Sequence, residues 1–221
     1  HKKLFIPGPI EGRKDVLEKM ATPMIGHRSK EASELQKNIS DKMKKVFNTK
    51  EEILLSTSSG TGLLEGAIRC STAKRAAIFS VGAFGNRWYK IAKCNNVPAD
   101  LFEEDWGKAV NVDRIDKVLA TGKYDSICVT HNETSTGVMN PIEDVAEIMK
   151  KYPEVVWCLD TVSSMGGTKI EVDKLGVDIC LTSSQKALGL PPGMSICSFS
   201  QKAVERAKHV KFRGYYLDLL F

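Results

Sequence analysis

A lysine follows an apolar stretch of the sequence at a place where its amine is suited to covalent chemistry. Residues 178–182 are typical of a buried strand, small polar residues come next, and Lys186 stands just before the turn Pro191-Pro192-Gly193. A lysine amine forms an imine with an aldehyde once desolvation or neighbouring cations lower its pKa. A surface lysine in a loop is the alternative for this segment by itself.

A carboxylate ends a second apolar stretch, which covers residues 155–160. Asp160 could hold the protonated ring nitrogen of a heteroaromatic cofactor, and such a cofactor needs that proton if its ring is to act as an electron sink. An aspartate that caps a helix or shapes a turn explains this segment equally well.

A third segment, Ser58-Ser59-Gly60-Thr61-Gly62, lies between a predicted strand and a predicted helix. Small residues let backbone N–H groups approach an anion, and the helix N-terminus adds a partial positive charge, so the segment is suited to binding a phosphate. It lacks the Lys-Ser/Thr ending of a nucleoside-triphosphate loop and the full GxGxxG of a dinucleotide fold. Taken alone, it fits an ordinary strand-to-helix turn better.

The elements that must position these residues alternate along the chain. Short apolar runs predict strands at 53–56, 76–80, 126–130, 155–159, 179–182 and 195–199, and amphipathic spacing predicts helices at 31–47, 63–70, 86–94, 113–120 and 143–150. In the first helix, one apolar face holds Leu35, Ile39, Met43, Val46 and Phe47. This order predicts an α/β fold with a largely parallel sheet, whose ligand site lies at the carboxyl ends of the strands. The three segments above all follow predicted strands and should meet there.

Composition narrows the class of protein. The 221 residues are 42% hydrophobic, which suits one large domain, and the net charge of +5 is spread among acids rather than clustered with aromatic residues. We therefore expect no nucleic-acid partner. No apolar run approaches the roughly twenty residues of a membrane span, and no signal peptide is present, so we expect a cytoplasmic protein without a membrane partner.

The six cysteines contain no CxxC pair, and Cys128, Cys158, Cys180 and Cys197 fall in predicted strands. Buried free thiols in a reducing compartment explain them better than disulfides or a zinc site. His131 and Glu133 suggest a metal pair, but no third ligand has suitable spacing, so we expect no metal. The apolar ending at residues 217–221 predicts a chain that stops where a further element should begin.

Several segments together resemble one family. They are Ser184-Gln185-Lys186-Ala187-Leu188 with Pro191-Pro192-Gly193, Asp160-Thr161-Val162-Ser163-Ser164-Met165-Gly166-Gly167, His131-Asn132-Glu133-Thr134-Ser135-Thr136-Gly137, Gly82-Ala83-Phe84-Gly85-Asn86-Arg87, and Pro7-Gly8-Pro9. The combination closely resembles the class V aminotransferases, in particular the alanine–glyoxylate and serine–glyoxylate transaminases, which use pyridoxal 5′-phosphate (PLP).

The resemblance implies a role for each matching residue. Lys186 would form the Schiff base with PLP and carry the proton during catalysis, and Asp160 would pair with the pyridine nitrogen. Val162 would pack under the ring, Thr134 would contact the cofactor near its phenolic oxygen, and Phe84 would stack on the ring, although core packing explains Phe84 equally well. The phosphate would be held by Ser59, Gly60, Thr61 and Gln185. Relatives often have a histidine in place of Thr61, which changes that contact.

The resemblance also implies an architecture. Residues 1–221 would be the PLP-binding large domain of a fold-type-I enzyme, with a mostly parallel sheet flanked by helices, and residues 1–30 would wrap the active site or a partner. The small C-terminal domain, which supplies the arginine for the substrate carboxylate, would be absent from this chain. A homodimer is implied, because a neighbouring subunit usually completes the phosphate site.

The implied reaction transfers an amino group from a small amino acid, alanine or serine, to a keto acid such as glyoxylate. Within the fold, the alternatives are an aminoethylphosphonate transaminase or a cysteine desulfurase-like enzyme. A non-catalytic subunit that kept the PLP fold is the alternative from another class, and a nucleotide-binding oxidoreductase is a more distant one.

Overall fold

The computed structural model describes residues 1–220, in which strands and helices alternate. The strands are β1 (Glu52–Ser56), β2 (Ala76–Ser80), β3 (Ala99–Glu103), β4 (Ser126–Thr130), β5 (Asn132–Glu133), β6 (Val138–Met139), β7 (Val156–Asp160), β8 (Ile179–Ser183) and β9 (Ser195–Phe199). The helices are α1 (Lys14–Lys19), α2 (Lys30–Phe47), α3 (Gly60–Ser71), α4 (Ala83–Cys94), α5 (Val112–Leu119), α6 (Ile142–Met149), α7 (Val172–Leu175) and α8 (Gln201–Lys208).

The main sheet has seven strands in the order β1-β9-β8-β7-β4-β2-β3. Strands β3, β2, β4, β7 and β8 pair in parallel, and β9 runs antiparallel between β8 and β1. The fold class predicted from the sequence is confirmed. Because β1, β2, β4, β7 and β8 all point the same way, the loops that follow them meet at one edge of the sheet.

Two hydrophobic cores lie on opposite faces of the sheet, and successive strand residues alternate between them. In β2, for example, Ala77 and Phe79 join the core formed with α5 and α6, while Ala76 and Ile78 join the core formed with α3, α4 and α8. Burial on both faces explains why these strands read as continuous apolar runs.

The six predicted strands are present with bounds that agree to within one residue. Strand β3 was missed because Asp100 and Glu103 interrupt its apolar pattern, as is common for a strand at the edge of a sheet. Asp100 lies beside Arg75 and Lys123 at 2.8 Å each, which compensates its charge. Helices α3 and α4 begin three residues before the predicted starts, so glycines that resemble loop residues belong to their first turns.

The apolar face predicted for α2 needs correction, because it is only partly covered. Phe47 is buried, but Leu35 is 53% exposed, and Ile39 and Val46 are 37% exposed each. The helix lies beside the edge strand β1, and its contact with the core is made through Met43 and Phe47 near its end.

The thiols are free and buried, as expected, with one exception. Cys94 is exposed because it ends α4 on the solvent side, whereas the other five, Cys70, Cys128, Cys158, Cys180 and Cys197, belong to the two cores.

Candidate active site

A cavity of about 310 Å³ opens at the carboxyl edge of the sheet. It is lined by every predicted cofactor residue except Thr134, namely Ser59, Gly60, Thr61, Phe84, Asp160, Val162, Gln185 and Lys186. The remaining lining comes from Gly8, Pro9, Leu64, Arg87, Ser183 and Pro192. Segments that are far apart in the sequence therefore converge on one space, as the parallel topology requires.

Asp160 ends β7 and is almost fully buried, with 3% of its surface exposed. From the described residues, 1–220, its carboxylate accepts one hydrogen bond, from the Val162 N–H at 2.9 Å. Burial raises the pKa of Asp160 to about 6, and the negative charge of Glu133 adds to this effect. The Val162 hydrogen bond and the cations Arg87 and Lys186 act in the opposite direction. A buried carboxylate with a single partner is suited to pair with a cation that enters the cavity.

Lys186 reaches into the cavity from the loop after β8. Its Nζ donates a hydrogen bond to the Pro7 carbonyl at 2.8 Å, and partial burial lowers the pKa of the amine. The N-terminal segment passes directly over this loop, where the Ile10 N–H donates to the Gln185 carbonyl at 3.1 Å. A lowered pKa makes more of the nucleophilic free amine available.

The predicted phosphate segment forms the start of α3. Ser59 is the residue before this helix, and its side chain makes no capping hydrogen bond, so the hydroxyl can serve a ligand. The Ser58 hydroxyl lies 2.8 Å from the Ser195 hydroxyl of β9, which fixes the loop. A Cβ on Gly60 would lie 2.7 Å from Val162 Cγ2. Only glycine allows this loop to come so close to the residue expected under the cofactor ring.

Phe84 lies in the first turn of α4, and the Arg87 guanidinium sits over its ring, 4.5 Å from the centroid. Arg87 Nη1 also donates to the Thr61 hydroxyl at 3.0 Å. Arg87 thus joins the predicted ring-stacking residue to the predicted phosphate loop. The sequence argument assigned it no role, although it ends the segment Gly82–Arg87 that resembles the family.

Thr134 is the predicted residue that does not line the cavity. Its hydroxyl lies 2.5 Å from the Ser163 hydroxyl in the loop after β7. The contact joins the loop after β4 to the loop that begins at Asp160. A direct contact between Thr134 and the cofactor stays a prediction.

Ser183 is a lining residue that the sequence argument passed over. It is fully buried at the end of β8, and its hydroxyl has no hydrogen-bond partner among residues 1–220. An unpaired buried hydroxyl is costly, and unpaired groups in native proteins cluster at ligand sites. Its position directly after an apolar run, at the edge where ligands bind, was the available signal.

His131 and Glu133 have other partners than a metal. His131 Nδ1 lies 2.9 Å from the Ser164 hydroxyl, and burial lowers the pKa of the imidazole. In the part of the chain from residue 1 to 220, no three His, Cys, Asp or Glu side chains form a group suited to a metal ion. Within the same residues, no helix is both long and apolar enough to cross a membrane.

Comparison with known proteins now decides the family. The family described as aminotransferase class-V matches residues 15–220. The chain belongs to this family. An uncharacterized aminotransferase of Methanocaldococcus jannaschii is 40% identical over 225 residues, which cover 99% of this chain and 58% of that protein. The serine–glyoxylate aminotransferase of Arabidopsis thaliana is 34% identical over 222 residues, covering 97% of this chain and 55% of the relative.

A solved structure agrees with this assignment. The alanine–glyoxylate aminotransferase of Nostoc sp. superposes with a TM-score of 0.91 at 29% identity, over 97% of this chain and 58% of that chain. The class V chain described here thus spans somewhat more than half the length of the relatives it matches.

Family membership implies pyridoxal phosphate as the cofactor, and the residues of the cavity fit this molecule. Among residues 1–220, the buried Asp160 carboxylate accepts one hydrogen bond and the Ser183 hydroxyl has no partner, and Gly60 leaves room for close approach. Lys186 provides a partly desolvated amine. The cavity therefore offers an acid for the ring nitrogen, donors for an anion and a nucleophile for the aldehyde.

Proposed function

We propose that the full protein is a PLP-dependent transaminase that moves an amino group from a small amino acid, alanine or serine, to a keto acid such as glyoxylate. One observation carries the proposal: Lys186, Asp160 and the loop at Ser59–Thr61 converge on a single cavity. The names of the Arabidopsis and Nostoc relatives, which pair serine or alanine with glyoxylate, support the choice of substrates.

Each residue then has a defined task. When bound, PLP supplies an electron sink that stabilises negative charge on the substrate α-carbon. Lys186 would hold the cofactor through Nζ, and its amine is the group placed to move the substrate α-proton. Asp160 holds the proton on the ring nitrogen.

The rest of the proposal concerns parts beyond the cavity. We propose that residues 1–221 form the PLP-binding large domain, that the N-terminal segment of about 30 residues covers the active site or a partner subunit, and that the enzyme is a cytoplasmic homodimer. The position of residues Pro7 and Ile10 against Lys186 and Gln185 supports the role of the N-terminal segment. The hydrophobic side chains Leu35 and Ile39, exposed on α2, are consistent with burial in a larger assembly.

A cysteine desulfurase needs an accessible thiol nucleophile, and the thiols of residues 1–220 are poorly suited to that. Burial raises the pKa of Cys70 to about 11 and that of Cys180 to about 12. Cys94, which is exposed, is not among the residues that line the cavity. Transamination is therefore the better proposal, and an aminoethylphosphonate transaminase or a non-catalytic subunit is an alternative outcome of the experiment below.

The experiment begins with trapping: PLP is added to the full protein, the lysine–cofactor bond is reduced with borohydride, and the digest is searched by mass spectrometry for a pyridoxyl adduct. We expect the adduct on Lys186 and its loss in Lys186→Ala. Single-turnover spectra with alanine, serine and aminoethylphosphonate then identify the amino donor. Trapping without any donor turnover would favour the non-catalytic subunit, and absence of an adduct would refute the PLP assignment.

A further inference from the structure

Glu133 is a fully buried carboxylate that the proposed chemistry does not use. It lies at the end of the short strand β5, with none of its surface exposed, next to Thr134. A buried carboxylate is costly unless several donors compensate its charge. The groups that donate hydrogen bonds to Glu133 show which parts of the site it connects.

One oxygen of Glu133 accepts hydrogen bonds from the first turn of α4. The Phe84 N–H lies 2.9 Å and the Gly85 N–H 3.0 Å from Oε2. Helix N-termini leave such N–H groups without partners, and they are usually satisfied by a side chain just before the helix. The residue before α4 is Gly82, which has no side chain, so a carboxylate from a different strand takes this place.

The other oxygen holds the loop after β4. Oε1 accepts the Ser135 N–H at 3.1 Å and the Ser135 hydroxyl at 2.7 Å. The Ser135 hydroxyl in turn accepts the Ala83 N–H at 3.0 Å. In the described part of the chain, the carboxylate therefore has four donor groups, two on the helix and two on the loop.

The close approach depends on a glycine. A Cβ on Gly82 would lie 2.5 Å from the Ser135 hydroxyl and 2.7 Å from Glu133 Cγ. Any side chain at this position would push the loop away from the helix. The backbone is thus built to let the carboxylate reach α4.

Helix α4 carries two residues of the cavity, Phe84 in its first turn and Arg87 one turn later. Arg87 contacts both the Phe84 ring and the Thr61 hydroxyl. Movement of the helix start would therefore shift the ring-stacking residue and loosen the phosphate loop together. Small displacements of groups that hold a cofactor have large effects on its binding.

We propose that Glu133 is a positioning residue that fixes the start of α4 against the loop after β4 and thereby sets the place of Phe84 over the cofactor. This inference rests on the proposed PLP site. It predicts that weakening the Glu133 contacts changes how PLP is held, beyond any loss of stability.

The test compares Glu133→Gln with Asp125→Asn in the full protein. Asp125 is also buried, and its carboxylate accepts three consecutive backbone N–H groups, at residues 73–75, at the opposite end of β4. Both changes keep the side-chain size and replace one acceptor oxygen by a donor. We expect Glu133→Gln to weaken PLP binding at least tenfold and to reduce the visible circular dichroism of the bound cofactor. Asp125→Asn should lower the melting temperature and leave both cofactor signals unchanged.

A double-mutant cycle tests the route through Phe84. The effect of Glu133→Gln on PLP affinity should be much smaller in a Phe84→Ala background, because residues that act through one another are not additive. Unchanged PLP affinity and dichroism in Glu133→Gln, or full additivity with Phe84→Ala, would overturn the inference. If the wild-type protein itself binds no PLP, the proposed function fails instead, so the two failures are distinguishable.

Discussion

The carboxylates buried at the amino end of the central sheet differ from the one that lines the cavity at its carboxyl end in how far the protein compensates their charge. At the amino end, Asp125 accepts three backbone N–H groups and pairs with Arg206 at 3.1 Å. Asp178, just before β8, accepts a backbone N–H and a hydroxyl and pairs with Lys202 at 2.8 Å. These charges are compensated by the protein itself, so they stabilise the fold and have little left to offer a ligand.

At the carboxyl end, two buried groups that line the cavity, Asp160 and Ser183, are short of partners, whereas the Glu133 carboxylate, which does not line it, has donors from α4 and from the loop after β4. Within residues 1–220, Asp160 accepts a single hydrogen bond and makes no ion pair, and the buried Ser183 hydroxyl has no hydrogen-bond partner. Such groups reduce the stability of the folded chain. Among these buried carboxylates, incomplete compensation, rather than burial or charge, distinguishes Asp160, which lines the cavity, from Asp125 and Asp178 at the amino end and from Glu133 at the carboxyl end.

The largest expected effect comes from replacing one lysine at each end of the sheet by alanine. Lys186→Ala should slow amino transfer by about 10³-fold or more, because the amine that binds the cofactor and moves the proton is lost. Lys202→Ala removes an ion pair to Asp178 and two hydrogen bonds to backbone carbonyls, and should cost about 2 kcal/mol of unfolding free energy without slowing the chemistry. Single-turnover rates and urea denaturation of the full protein measure the two effects. Equal amino-transfer rates for the two variants would show that Lys186 has no special role in the chemistry.

Replacing one aspartate at each end of the sheet by asparagine tests the same comparison through the pH dependence of stability. Below about pH 3.8, Asp160 is protonated in both the folded and the unfolded chain. Because its pKa is about 6 in the folded chain, the stability that this group contributes is lost as the pH rises through 6. Asp160→Asn should therefore raise the stability of the apoprotein above pH 6, by up to about 3 kcal/mol, and leave it unchanged near pH 4. Thermal melts across this range measure the change.

Asp178→Asn is the matched variant at the other end. It leaves Lys202 without its carboxylate and should lower the unfolding free energy at pH 7 by about 2 kcal/mol. If both asparagine variants destabilise the apoprotein equally at pH 7, the two ends do not differ as the hydrogen bonds indicate.

The smallest effect concerns two unpaired hydroxyls. Ser183 and Ser198 are both buried, and neither hydroxyl has a partner in the described part of the chain, but only Ser183 lines the cavity. Replacing either by alanine should leave the apoprotein as stable or slightly more stable. Ser183→Ala should in addition weaken PLP binding by about 1 kcal/mol, about fivefold, as equilibrium titration measures. Equal PLP affinity in the two variants would show that the Ser183 hydroxyl does not serve the cofactor.

Much of the fold followed from local patterns. Strands buried on both faces read as unbroken apolar runs, and the segments carrying Gly60, Asp160 and Lys186 follow or end strands, as predicted. Strand β3 was missed because Asp100 and Glu103 interrupt its apolar pattern, and the charge of Asp100 is compensated by Arg75 and Lys123, which lie elsewhere in the chain. The partial exposure of α2 was missed because periodicity reports a helix's apolar face and not what covers it.

The sequence by itself determined which residue types were available for chemistry and the alternation that places them after parallel strands. It also determined the family, because the family's motifs can be recognised from residue types and spacing without any distance. Only the tertiary structure decided that Arg87 bridges Phe84 and Thr61, that Ser183 has no partner among the described residues, and that Glu133 caps a helix from another strand. The physical reason is that hydrogen-bond compensation depends on donors brought together from distant parts of the chain, and no local pattern encodes which donors arrive.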